Sequence, residues 1–345
     1  MQEKVINCLM LLRFPLIILV VMIHSRAELA SFVDLNTCGW WGAQITIYIS
    51  HIIAGAAVPC FFAISGYMYF YNVKLFNKEV FFKKCQRRFY SLLIPYICWN
   101  FIVFFVYMAG HWLAPSMMKN GVVFFENFDI IDFVNLFWRG NSGSPICYQM
   151  WFIRDLICVC AFAPPVIYWL ASRIGLALPI LAICGYILED LIGFNCVAIS
   201  FFSFGAYFSI SKLKMGVSPK TGLLLIILYL ILTILELSHY PAALPVHHFV
   251  VFLGVVVFYV IAYKVAECGF SNFLTNSTFF VFAMHGLVLM IIARLTKILF
   301  PLNDNLTLVI LYFLNPLLTI LICLMAFYVA DKIKWINFLN GLRKK

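Results

Sequence analysis

Residues 13–24 read RFPLIILVVMIH, an almost wholly apolar run held between an arginine and a histidine. The run lies within a longer apolar segment, residues 5–24, and crossing a bilayer takes about 20 mostly apolar residues. On an α-helix, eleven residues turn the chain by about 1100° and advance it by about 16 Å. Arg13 and His24 therefore share one face at two depths. An arginine at membrane depth costs at least about 2.5 kcal/mol to insert unless it is paired or hydrated. Arg13 is thus expected either to face a cavity or a partner, or to snorkel to the inner interface. Its planar donor fork suits phosphate, and the imidazole above it suits general-base work near neutral pH. Pro15 removes one backbone bond and loosens the early turns.

The rest of the chain has the same character. Its 345 residues are 64% hydrophobic and 11% charged, with 36 Phe and 17 Tyr. Soluble domains carry about 45–50% apolar and about 25% charged residues, so this chain lacks the polar surface for a water-soluble globule of its size. Ten segments are expected to span: 5–24, 45–70, 89–110, 149–170, 174–190, 196–211, 221–238, 246–265, 277–296 and 306–330. The sixth is short and carries Ser200, Ser203 and Ser209. With no repeat and no linker between them, residues 1–345 read as one domain. It is an all-α, polytopic membrane helix bundle of about ten transmembrane helices. The first run holds Arg13 and lacks a small-residue cleavage site, so it reads as a retained helix rather than a signal peptide.

The net charge of +10 invites a nucleic-acid reading, but the positions of the charges argue against it. With a cytoplasmic N-terminus and strict alternation, the inner side receives Lys4, Lys74, Lys78, Lys83, Lys84, Arg87, Arg88, Arg173, Lys212, Lys214, Lys220, Lys264, Lys332, Lys334, Arg343, Lys344 and Lys345. The outer side receives Arg26, Lys119, Arg139 and Lys297. Such asymmetry is the positive-inside pattern, so the basicity is topological and puts both termini in the cytoplasm. Most acids (Glu28, Asp34, Glu126, Asp129, Asp132, Glu189, Asp190, Glu236, Asp304) fall at outer ends or loops, as do all histidines except His285, near mid-span.

Two further constellations stand inside spans. Arg154 and Asp155 lie about a turn and a half into the fourth apolar run, where ionisable residues either clasp structurally or serve a site. In the second span, Pro59 and Gly66 loosen the helix and let another backbone approach. The twelve cysteines are scattered, mostly within apolar runs, with no C-x-x-C or His/Cys metal spacing, so no metal is expected. Cys38 and Cys147 fall in loops and stay open.

The arginine, ten residues, then histidine of the first span resembles the signature of the acyltransferase-3 family of integral membrane O-acyltransferases. The phrase Phe61-Phe62-Ala63-Ile64-Ser65-Gly66-Tyr67 is similar to that family's second-helix motif. The basic stretch Phe82-Lys83-Lys84-Cys85-Gln86-Arg87-Arg88, followed by Ser91-Leu92-Leu93-Ile94-Pro95-Tyr96, resembles its first cytoplasmic loop. Trp151-Phe152-Ile153-Arg154-Asp155-Leu156 looks like its "WF…L" segment, and Ala283-Met284-His285 is similar to its late-helix "Y-x-x-H" region. Two positions depart: a proline follows closely after Arg13, and Phe282 or Ala283 stands where the family has the later tyrosine.

The resemblance implies a bacterial cytoplasmic (inner) membrane enzyme. It would move an acyl group, commonly acetyl, from cytoplasmic acyl-CoA to a hydroxyl of a surface or lipid-linked carbohydrate. No permanently bound cofactor is implied; acyl-CoA is a substrate, and membrane lipid is the surroundings. On this reading Lys83, Lys84, Arg87 and Arg88 form an inner rim for the 3′-phospho-ADP of CoA, and Arg13 meets its pyrophosphate or pantetheine arm. His24 is the general base, Arg154 stabilises oxyanion charge, and Asp155 orients a partner or His24 itself. An acyl-histidine intermediate is a variant. The residues alone also fit a transporter or flippase for a small polar solute or lipid-linked sugar.

Overall fold

The computed structural model describes residues 2–113, 129–139, 143–188, 196–213, 215–240, 244–266, 271–333 and 339. Among them every regular element is helical. Helix α1 (Gln2–Ala30) is followed by α2 (Trp40–Ile47), a π-helical turn (Tyr48–Ile53), a short 3-10 turn (Ala54–Ala56) and α3 (Ala57–Phe70). Then come α4 (Lys78–Arg88), a second π turn (Phe89–Leu93), α5 (Ile94–Leu113) and the short α6 (Ile130–Trp138). The remaining helices are α7 (Trp151–Phe162), α8 (Pro164–Ile174), α9 (Ala177–Ile187), α10 (Val197–Ile210), α11 (Pro219–His239), α12 (Leu244–Val265), α13 (Asn272–Leu299) and α14 (Asn305–Lys332).

Local chemistry sets these boundaries. Asn77 caps α4 by accepting from the Val80 amide at 2.9 Å. Asp304 caps α14 from the Leu306 and Thr307 amides at 2.9 and 3.0 Å; the hydrogen bonds from Thr307 hold its carboxyl below the usual range. Pro219 follows the capping Ser218 at the first helical position of α11, where the missing N–H is no loss. Both π turns lie near a proline. Pro59 offers no N–H to the Gly55 carbonyl, and Pro95 none to that of Ser91, so the backbone re-pairs locally.

Among the described residues seven helical stretches are long and apolar enough to cross a membrane, or eight if the bent pair Tyr148–Phe162 and Pro164–Ile174 is one span. Residues 177–187 and 197–210 form shorter apolar helices. All ten expected segments are therefore helical, but two fall short of a full span. The segment 149–170, expected as one helix, is broken by a bend of 64°. Pro164 and Pro165 cannot donate to the preceding turn, so the helix cannot continue straight. The expectations placed on Lys119, Glu126, Glu189, Asp190, Lys214, Lys334 and 343–345 lie outside the described residues.

α1 is central, packing on α13, α12, α14 and α3. Its buried residues Cys8, Leu16, Ile17 and Val21 join the main core with Phe62, Phe201, Phe202 and Leu289. The outward faces remain apolar: Leu224, Ile231 and Ile234 of α11 and Leu306, Leu317 and Met325 of α14 are all more than half exposed. Continuous exposed apolar faces of this kind suit a lipid bath rather than water. The protein is a polytopic membrane helix bundle.

Candidate active site

His24 lies in the C-terminal third of α1, eleven residues beyond Arg13. The turn that carries it is fixed to α14 by Ser25, which donates to the Tyr312 carbonyl at 3.2 Å. Two rings meet the imidazole: Tyr148 edge-on at 4.9 Å and His285 tilted at 5.2 Å between centroids. His24 is half-buried: its ring packs between Tyr148 and His285 while part of the side chain stays accessible.

His285, on α13, is fully buried. Its Nδ1 is 2.7 Å from the Phe282 carbonyl. A carbonyl can only accept, so Nδ1 carries the hydrogen and the neutral ring offers Nε2 as an acceptor. That Nε2 is buried without a partner. Tyr148 is delivered by the 3-10 turn Tyr148–Met150 ahead of α7. The turn is pinned on both sides. The Cys147 amide donates to Asn100 Oδ1 at 3.1 Å, and Gln149 Nε2 donates to the Ala283 carbonyl at 2.8 Å. Glycine at 286 makes room for Gln149, since a Cβ there would lie 2.7 Å from Gln149 Oε1. One turn beyond His24, Glu28 lies in electrostatic reach of Arg294, Tyr107 and Tyr148. A polar column thus continues from His24 along the outer end of α1.

The predicted donor-side cations divide by helix face. Lys84 and Arg88, four residues apart, turn inward over the ring of Tyr69: Nζ lies 5.1 Å and Cζ 5.9 Å from its centroid. Lys83 and Arg87 occupy the opposite, exposed face of α4. Arg13 lies within repulsive reach of Arg88, and Arg88 of Lys84, so Arg88 links the other two; Arg87 reaches Lys84 from the exposed face, and Lys83 faces away. Among the described residues no carboxylate pairs with these three. Unpaired like charges at partial burial are costly, and an anion between them would relieve the repulsion.

Arg154 and Asp155 are placed differently from the sequence expectation. Arg154 Nε donates to Asp155 Oδ1 at 2.9 Å, and its Nη1 donates to the carbonyls of Trp138 and Gly143 at 2.7 and 3.1 Å. The pair fastens α7 to the segment after α6, and neither residue has a described contact with His24. A long guanidinium can curl onto its own neighbour and onto loop carbonyls, which sequence position does not reveal. Sequence reasoning missed Tyr148 and Gln149 as parts of the site. The signal was available only as Tyr-Gln at the mouth of an apolar helix, where an interfacial anchor reads identically. Cys38 and Cys147 are both buried free thiols.

The described residues hold no group of three or more His, Cys, Asp or Glu that could bind a metal. No curated protein and no solved structure matches the chain. The acyltransferase domain family does, over residues 6–333. That match covers nearly the whole bundle, including both histidines and the cationic cluster; the chain belongs to the acyltransferase-3 family and is a membrane acyltransferase.

Proposed function

We propose that this protein transfers an acyl group, acetyl in the simplest case, from cytoplasmic acyl-CoA to a hydroxyl of a surface or lipid-linked carbohydrate. It does so in a bacterial inner membrane with both termini in the cytoplasm. One observation carries the reading. Among the described residues Arg13 and Arg88 repel each other with no carboxylate paired to them, and His24 stands eleven residues farther along the same helix, partly accessible between Tyr148 and His285. Phosphates of the donor suit the first group. The second suits proton removal from an acceptor arriving from the other side.

In this mechanism the acceptor hydroxyl gives its proton to His24 as its oxygen attacks the thioester carbon. The carbonyl electron pair moves onto oxygen, where the phenol of Tyr148, whose ring lies edge-on to His24, would donate to it. The pair returns as the carbon–sulfur bond breaks, and the departing thiolate takes the proton from the imidazolium. An ester and free CoA thiol remain, with charge balanced. His285 Nε2, unpartnered and beside His24, would accept from the second ring N–H of His24 when the ring turns toward it and so orient it. Arg154 and Asp155 keep the loop beside Tyr148 in place, so their contribution is to position that phenol.

The test is thiol release from acetyl-CoA by purified protein with acceptor present. A transporter or flippase would bind or move solute with no thiol appearing. Donor use should follow the faces of α4. Arg13→Lys keeps the charge but loses the fork, and should raise KM for acyl-CoA about tenfold with little change in kcat. Lys84→Ala and Arg88→Ala should do the same, whereas Lys83→Ala and Arg87→Ala should change it less than about twofold. Equal effects at all four positions would mean a diffuse basic surface and no phosphate pocket.

A further inference from the structure

A second polar network lies behind His24. Arg26 follows it by two residues, which turns its side chain about 200° around α1. There Arg26 Nη1 is 3.1 Å from His51 Nε2, and its Nε is 3.3 Å from Thr46 Oγ1. His51 sits in the π turn Tyr48–Ile53, a distortion that recurs at functional sites. From the other side, Glu236 of α11 and His247 of α12 pair through Oε1 and Nδ1 at 2.7 Å. Glu236 is 3% exposed, and its Oε2 is buried with no partner. The Tyr240 ring lies tilted against His51, 5.7 Å between centroids, and Tyr48 donates to or accepts from Thr233 at 3.1 Å, tying the π turn to α11.

The bonding fixes what each ring presents. Arg26 can only donate, so His51 Nε2 accepts and its Nδ1 carries the hydrogen. The Glu236 carboxylate can only accept, so His247 Nδ1 carries the hydrogen, and Nε2 is left for a ligand, as an acceptor when the ring is neutral. The His247 side chain is 37% exposed. Neither remaining ring nitrogen is among the buried unpartnered atoms. The network thus presents an imidazole donor, an imidazole acceptor and the spare N–H groups of Arg26, beside a partly exposed aromatic face. A bare anion would meet the Glu236 carboxylate, and no three metal-binding groups converge among the described residues. Paired donors and acceptors against an aromatic ring suit vicinal hydroxyls on an apolar ring face.

We infer that Arg26, His51, His247 and Tyr240 form a second site, on the far side of α1 from His24, that takes a neutral, polyhydroxylated sugar ring. The inference rests on the proposed carbohydrate acceptor for its ligand class, and assigns this site to a non-reacting sugar of that acceptor. Glu236 is a positioning residue that fixes the His247 tautomer.

The probe is the de-O-acylated surface polysaccharide of the host cell, added without acyl donor to the full-length protein in nanodiscs. Binding is read by thermophoresis alongside the melting temperature. Wild type should bind. His247→Ala and Tyr240→Ala should bind about tenfold more weakly, and Tyr240→Phe like wild type. Tyr240 is 38% exposed, so its truncation leaves the bundle folded. Glu236→Gln still accepts from Nδ1 and should bind like wild type, whereas Glu236→Leu should not; equal binding by both would overturn its positioning role. Unchanged binding in His247→Ala and Tyr240→Ala, or no binding by wild type, would overturn the site. Should binding depend on these residues while acetyl-CoA yields no thiol, the transfer reading fails and the sugar site stands.

Discussion

Replacing His24 with alanine should abolish acyl transfer while full-length protein stays in the membrane. Acid–base assistance is worth about 10²–10⁴ in rate, and the His24 imidazole is the base this mechanism uses. Loss at or beyond the upper end would point to an acyl-histidine intermediate, where removing the nucleophile leaves nothing to acylate. The fold should tolerate the change. His24 makes no described hydrogen bond, and part of its side chain stays accessible. Its ring neighbours lose one face of contact each. The decisive comparison sets thiol release against protein abundance and melting temperature. Near-wild-type turnover in His24→Ala would remove the mechanism outright, and equal loss of activity and protein would make His24 a packing residue. His285→Ala separates the orienting role: it should lower kcat without changing KM for acyl-CoA.

The span-forming segments were legible because a bilayer-crossing helix is written in local composition. Arg13, His24 and the apolar run between them sit on one helix, as the spacing implied, because nothing in α1 breaks its period and Pro15 faces outward. What sequence could not give was every relation between helices. His24 meets His285 and Tyr148 because α13 and the turn before α7 pack against α1, a consequence of the whole bundle. The division of Lys84 and Arg88 from Lys83 and Arg87 was in principle readable from the four-residue period, but only the fold says which face looks at Arg13. The ion pair of Arg154 with Asp155 defeated the spacing argument for a physical reason. Adjacent side chains on a helix diverge, yet a guanidinium is long enough to bend back. The bend within 149–170 was signalled by the Pro-Pro pair, and average hydropathy outweighed it.

Gly66 and Gly205 should prove the least replaceable residues outside the site. They face each other across the crossing of α3 and α10. A Cβ on Gly66 would fall well inside contact with the Phe202 carbonyl oxygen, and one on Gly205 would meet the Ala63 carbonyl in the same way. Both obstacles are backbone, which cannot rotate aside as a side chain does. The sequence reading of Gly66 as a point of close backbone approach is therefore correct, and Gly205 is its counterpart. A glycine inside a helix costs about 1 kcal/mol relative to alanine, so only the closeness of the helices favours it here. Forcing the helices apart would unpack Phe62, Phe201 and Phe202, all fully buried. It would also shift Tyr69 of α3, over which Lys84 and Arg88 are held. Gly205→Ala should destabilise by about 3 kcal/mol or more, and Gly205→Val should leave no folded protein to extract. Gly185 provides the control on the neighbouring α9, because a Cβ there meets its nearest atom, Ser200 Oγ, only at 4.0 Å. Gly185→Ala should hold or slightly raise the melting temperature in detergent. If Gly205→Ala melts as the wild type does, the two helices are not in the close contact described, and the support beneath the cationic cluster goes with it.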